Sequence, residues 1–481
     1  HVYKGEWRAT RSLLGSQVSY ISPFLSDREE WSPKRLRANE GRAFVGSYVL
    51  GKGFVISHEE AQRLLGDDPR NTEVVFPYIN GEDLTSDPDQ RPSRWVINFW
   101  DWSEEEARKY SLPYRIVEER VKPDRQRLKK NGEYKLRKPL PQRWWQYADK
   151  RPALYHAIGR GGAFKKHPKS WSFDREIDRV MCVTLSSKYA LPQLVDNSSV
   201  FDQKVVVINL DSFRYLALLS SSIHNSWVFH NGSTLGVSRN YTPSNCFETF
   251  PFPIFGDFCG ELDELGRVLE ERRAGIMRAK SLGLTDLYNI FHSRDASNSA
   301  VNCLRELHVE IDRCVARCYG FDDLDLRHGF YSVPYLPERE KVRFTICESA
   351  RIEVLRRLSE LNRQQYEEEA ALGLHVGGSR GSPSRSPRTR RTNSADTIQP
   401  RLDFESGPAA SKYGETPSAA IFNFLKANDG WYAKADILTA TGITDRQWVM
   451  AISELVTAGQ VKRQGERRGA RYRAIVDDKG V

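Results

Sequence analysis

The chain has 481 residues, 39% of them hydrophobic and 28% charged, and Lys and Arg outnumber Asp and Glu by 72 to 63, a formal charge of +9. That length suits two to four domains with a real core and excludes a single small module. The slightly low apolar and slightly high charged content predicts folded domains plus a solvated stretch, and the positive excess suits a polyanionic partner without proving one.

No run of about 18 apolar residues occurs. The longest candidate, Tyr215 to Leu219, stops at Ser220, Ser221 and Ser222, so no membrane span and a soluble, cytoplasmic protein are expected. The opening segment His1-Val-Tyr-Lys-Gly-Glu-Trp7 has none of the regions of a signal peptide and reads as an internal strand, as if cut from a longer chain. Cys182, Cys246, Cys259, Cys303, Cys314, Cys318 and Cys347 form no CxxC pair and suit reduced structural thiols.

Residues 1–257 carry short apolar or alternating runs, Phe54–Ile56, Trp95–Phe99 and Val205–Ile208, between Gly, Pro, Asn and Asp clusters, and predict a mixed α/β region. Pro251, Pro253 and Gly256 then punctuate a switch to helical periodicity over 258–371. There Leu262, Leu265, Val268 and Leu269 mark one apolar face, and Leu304, Leu307, Ile311 and Val315 another. Residues 372–412, with GGSRGSPSRSPRTRRTNS, predict a disordered basic linker. In 413–476 the pattern predicts a helix through Ile421, Phe422 and Leu425, a second over Ala433–Thr441, a Gly442 turn and a third from Thr444. Strands at Val461–Gln464 and Ala470–Ile475 around a Gly465–Gly469 tip would complete a winged helix-turn-helix. The fold class expected is multidomain α+β: a mixed α/β region, a helical region and a C-terminal winged helix.

Catalytic chemistry is hard to find. Gly46-Ser-Tyr-Val-Leu-Gly51-Lys52 meets part of a phosphate-loop pattern, but Gly53 stands where the magnesium-binding hydroxyl belongs, and the filling favours a strand pair with glycine turns. Gly51-Lys-Gly53 and Gly159-Arg-Gly-Gly162 are incomplete as cofactor loops, and no Pro-Pro pair exists to hold a flipped amino base. Cys303, His308, Cys314 and Cys318 read as buried helix residues, and His156, His224 and His230 as ordinary packed or surface side chains. No catalytic residue, metal ligand or cofactor is assigned.

Binding chemistry is clearer. Between 120 and 151 stand twelve basic residues against three acidic ones, with Tyr134, Trp144, Trp145 and Tyr147 interleaved, a mixture suited to neutralising phosphate and stacking on bases, the alternative being a solvated basic loop with one Trp in the core. Arg120, Lys122, Arg125, Arg127, Arg143 and Arg151 are the candidate phosphate contacts. A second basic surface comprises Lys462, Arg463, Arg467, Arg468, Arg471 and Arg473. There Arg446 and Gln447, opening the third helix, would reach a major groove of double-stranded DNA.

Several segments in order, FVGSYVLGKGFVIS (44–57), VFPYINGEDL (75–84), RWVINFWDWSEEEARKY (94–110), ERVKPDR (119–125), RWWQYADKRPALYHAI (143–158) and YTPSNCFETFPFP (241–253), resemble the target-recognition region of MmeI-like, type IIL restriction-modification adenine methyltransferases. Large methyltransferases of the BREX and DISARM phage-defence systems share this layout, and LRELHVEIDRCVARCYGF (304–321) is similar to the helical segment that follows it. The resemblance covers about residues 1 to 365. It implies a module that clamps DNA against a catalytic domain, which methylates a flipped adenine at N6 using S-adenosylmethionine. This chain lacks that domain's motifs, so the catalytic domain is an implied partner, upstream or in a separate subunit, beside possible defence-complex proteins. By the same resemblance Arg143, Trp144, Trp145 and Gln146 would line the DNA cleft. Tyr241, Thr242, Ser244 and Asn245 would be polar contacts or shape their loop, and Phe247–Pro253 would be a packing hinge.

Overall fold

The structure, a computed structural model, describes residues 11–13, 16–18, 32–166, 177–235, 238–296, 298–333, 336, 338–375, 417–428, 430–443, 448, 451–452, 455–456, 459–464 and 471–475. The chain divides into two compact units, His1–Ile398 and Gln399–Val481, so the recognition and helical regions share one unit. The architecture is mixed α/β with several small sheets. Beyond residue 375 the expected linker lies outside the described residues.

Two four-stranded sheets organise the first half. One is antiparallel, in the order Ala43–Val45, Val205–Ile208, Arg179–Thr184, Gln193–Asp196. Val205–Ile208 lies inside it with every side chain buried, where a continuous β-branched run fits best. In the other, Val200–Phe201 pairs parallel with Val75–Ile79, and Arg94–Ile97 and Val55–Ile56 continue antiparallel. Around this sheet gathers an aromatic core that includes Phe54, Phe99, Trp100, Trp102, Tyr147 and Tyr155. Trp100 and Tyr155 meet edge to face at 5.1 Å, the arrangement ring quadrupoles favour.

The glycine-rich segment at 46–53 forms a strand connection, in keeping with its filling. A short 3-10 turn, Lys52–Phe54, runs directly into the strand Val55–Ile56, so no helix N-terminus faces the loop as phosphate binding requires. Gly53 serves close packing instead: a Cβ there would stand 2.4 Å from the Cβ of Arg120. The first long helix nearby, His58–Asp67, starts after the strand under a complete capping box between Ser57 and Glu60.

Helices Cys259–Lys280, Leu284–Phe291, Ser299–Cys318 and Glu348–Ala371 build the helical part. Leu262, Leu269, Leu304, Leu307, Ile311 and Val315 are buried, as the three-and-four spacing predicts, while Leu265 and Val268 are half-buried. Among the described residues no helix is long and apolar enough to cross a membrane.

The second unit has helices Pro417–Ala427 and Lys434–Thr441, helical residues at Trp448, Ala451, Ile452 and Leu455, and a three-stranded sheet. Its strand order is Tyr432–Ala433, Arg471–Ala474, Val461–Gln464, the first strand being one that the sequence pattern does not indicate. Ile421, Leu425, Ile437, Trp448, Leu455, Val461 and Tyr472 form its core.

Candidate nucleic-acid interface

Between the helical turn Lys122–Arg125 and Trp144 the chain forms a short two-stranded finger. Every residue from Arg127 to Lys135 is exposed, as are Arg137 and Lys138. Leu128 and Tyr134 pair as an antiparallel bridge, the Lys135 amide donates to the Arg127 carbonyl at 2.8 Å, and the Lys129 amide donates to the Glu133 carbonyl at 2.7 Å. Gly132, at φ 80°, turns the tip, and the Asn131 Oδ1 accepts from the Glu133 amide at 3.2 Å.

Charge on this finger is nearly one-sided. Arg127, Lys129, Lys130, Lys135, Arg137, Lys138 and Arg143 face a single acid, Glu133, over 126–143. Arg127 pairs with Asp124 at 3.2 Å and Lys129 with Glu133 at 3.5 Å, both at the surface; Lys130, Lys135, Arg137, Lys138 and Arg143 form no ion pair with a described residue. Like charges closer than a Debye length, about 8 Å at physiological salt, repel, and a polyanion relieves such repulsion.

The remaining candidates of this stretch point elsewhere, which corrects the cleft expected from the sequence. Trp144 and Trp145 are buried in the aromatic core, with rings 5.8 Å apart, and the Trp145 indole donates to the Trp102 carbonyl at 3.0 Å. Gln146, also buried, donates to the same carbonyl at 2.6 Å. Arg125 is 1% exposed and holds the carbonyls of Val49 and Leu50, so it offers phosphate nothing. Lys122 pairs with Glu118 at 2.8 Å and covers the Trp144 ring at 4.9 Å; Arg120 pairs with Glu60 at 2.6 Å. Arg151 pairs with Asp149 at 3.2 Å and donates to the Gly46 carbonyl at 3.3 Å. Apart from Arg120, whose ion pair lies at the surface, the reason is shared: large rings gain most by leaving water, and polar groups beside them are recruited to satisfy carbonyls and cover aromatic faces. Of the chosen side chains in this stretch, Arg127 and Arg143 remain with the finger.

At 241–253 Tyr241 is likewise a core residue, its hydroxyl 3.4 Å from the His224 Nε2. Burial pushes the His224 pKa down to about 4, so that ring is a neutral packing partner. Thr242 and Ser244 are half-buried and Asn245 is exposed, the Ser244 hydroxyl donating to the Asn245 Oδ1 at 3.1 Å. Phe247, Phe250 and Phe252 pack together with centroids 5.1 to 5.2 Å apart. Tyr319, following the Ser299–Cys318 helix, donates its hydroxyl to the Pro251 carbonyl at 2.8 Å, while Asn362 donates to the Thr249 carbonyl at 2.7 Å. The segment is therefore the packing junction between the strand-rich and helical parts.

In the second unit Lys462, Arg463 and Arg471 are exposed on paired strands. Lys462 stands directly opposite Arg473, and Gln464 opposite Arg471. Because alternate residues share a face, Lys462, Arg471 and Arg473 crowd one side of the ladder. Arg446, Gln447, Arg467 and Arg468 lie outside the described residues.

Elsewhere a cavity of about 80 Å³ lies in the helical part, lined among others by Tyr288, Phe291, His308, Asp312, His328 and Arg343. Its polar groups are mostly engaged with one another. Arg273 donates to the Tyr288 hydroxyl at 2.8 Å, which is hydrogen-bonded to the His308 Nε2 at 2.7 Å, and Asp312 accepts from His328 and from the Ser222 amide at 2.8 and 2.7 Å. Burial holds His308 and His292 neutral, far below the ordinary imidazole range. No cluster of three or more His, Cys, Asp or Glu among the described residues is placed to hold a metal. In Gly159–Gly162, Gly161 packs against the His156 ring, where a Cβ would stand 2.2 Å away, while a Cβ on Gly162 would meet nothing within 4 Å.

No protein-family model and no curated protein matches this chain. Among solved structures it is similar to that of the type IIL restriction-modification enzyme MmeI in complex with DNA, at 17% identity and a TM-score of 0.44. That alignment covers 73% of this chain and 39% of the other, so the chain spans about two fifths of that protein's length.

Proposed function

We propose that this chain is a DNA-recognition module working with an adenine-N6 methyltransferase catalytic domain, which draws on S-adenosylmethionine, in restriction-modification or phage defence. The observation that carries DNA binding is the exposed finger at 127–138 with its one-sided charge, to which Arg143 adds. Phosphates are its natural counterions. The second unit supports the same reading. We take its helices and hairpin as a winged helix-turn-helix, and the direct opposition of Lys462 and Arg473, which costs the isolated ladder about 0.2–1 kcal/mol, suits a strand pair laid on a polyanion. Methyl transfer is given to another domain because the sequence carries no Pro-Pro pair and no complete glycine-rich cofactor loop.

Duplex binding followed by fluorescence anisotropy over a range of salt concentrations tests the reading. Changing Lys130, Lys135, Arg137 and Lys138 together to Gln should weaken binding and lower the salt slope by about 0.9 for each phosphate that is no longer neutralised. Unchanged affinity and slope would remove the finger from the interface. Deleting 413–481 separates the recognition module from a DNA-binding scaffold of a defence complex: if the shortened chain binds no DNA, the scaffold reading replaces it.

A further inference from the structure

Single exposed apolar side chains are ordinary at protein surfaces and carry no message alone. Leu128 and Tyr134 are different in their placement. Leu128 is 52% and Tyr134 40% exposed, although most other large apolar side chains of this unit are buried. The two are bridge partners on the most basic segment of the chain. Directly opposed residues of an antiparallel pair project from the same face, so they form one joint apolar patch. Their neighbours Arg127, Lys129, Glu133 and Lys135 alternate to the other face.

A two-stranded ribbon fits the major groove of B-form DNA, which is about 12 Å wide. With one face turned to the groove floor, long Arg and Lys stems of the other face reach the phosphates along the walls. What an apolar patch meets on that floor is the thymine 5-methyl group, the one apolar projection the four bases offer there.

We propose that the Leu128–Tyr134 pair is the base-contacting face of the finger, seated in the major groove against thymine methyl groups. This rests on the DNA-binding reading above and deepens it, because it divides the finger into a part that holds phosphates and a part that senses bases. The cations supply the salt-dependent share of affinity; the pair supplies a share that salt does not change.

The test uses the full chain with a mixed-sequence duplex and with the same duplex made with deoxyuridine in place of every thymidine. The native protein should bind the thymine duplex several-fold more tightly. Leu128→Ala combined with Tyr134→Ala should erase that difference and leave the salt slope unchanged. Tyr134→Phe, which keeps the ring, should retain it. Since both side chains are exposed, an unchanged melting temperature should accompany each variant. If the native protein binds neither duplex, the DNA-binding reading itself fails. If it binds both equally, or if the paired alanine variant still discriminates, this inference is overturned while the phosphate contacts of the finger stand.

Discussion

Arg125 donates through Nη2 to the Leu50 carbonyl at 2.7 Å and through Nε to the same oxygen at 3.0 Å, and Leu50 holds a left-handed backbone at φ 45°. A cation in the middle of the most basic stretch thus faces inward and fixes a turn. Burial pushes its pKa down to about 10, well below the ordinary guanidinium range but still charged at neutral pH.

Replacing that cation tests its structural role. Arg125→Met should destabilise the first unit by about 2–4 kcal/mol, because the buried Val49 and Leu50 carbonyls lose their donors. Urea unfolding measures the loss. The salt slope of DNA binding, read under conditions where the variant is folded, should match the native one.

Trp144 offers a matching contrast. Trp144→Ala removes a ring that is 2% exposed and packed against Tyr114 at 5.4 Å, and should cost about 3–5 kcal/mol. Had the ring stacked on bases, the variant would retain native stability and lose affinity alone. A thermal melt beside an anisotropy titration separates the two outcomes.

Stability should also fall in mild acid. His224, His292 and His308 are kept neutral by burial, with pKa values below the ordinary imidazole value, His224 at about 4. Between the unfolded pKa near 6.5 and the folded value, the unfolded chain binds protons that the folded chain refuses. Stability is therefore full above about pH 6.5 and declines as pH falls toward 4, each such histidine contributing about 1.4 kcal/mol per pH unit at most. Unfolding midpoints measured from pH 7 to pH 5 should show this decline, and His224→Gln should make it shallower by that histidine's share.

The second unit gives a prediction in which stability and binding move apart. Lys462→Glu places an acid opposite Arg473 and should stabilise the strand pair by about 0.2–1 kcal/mol. Hydrogen exchange of the Val461–Gln464 amides should slow accordingly. Duplex affinity should drop, because a repulsive charge now meets phosphate.

Periodic and compositional features are legible in the chain alone. The β-branched run Val205–Ile208 marks a buried strand, the apolar spacing of Leu304 to Val315 a helix with a buried face, and Gly53, lacking the hydroxyl a phosphate loop needs, a turn. These signals are local, set by two or three neighbours and one repeat distance. Which members of a mixed segment reach water is settled by long-range packing. Between 120 and 151 the same alternation of cations and rings holds Arg125 and Trp144 in the core and Lys130 and Tyr134 outside. Nothing in their order distinguishes them. The difference comes from distant partners: the carbonyls at 49 and 50, the Trp102 carbonyl, and an aromatic core with room for two tryptophans beside Tyr114. Burial is a property of the assembled surface, so the tryptophans expected to read bases lie in the core and the cations of the finger beside them lie in water.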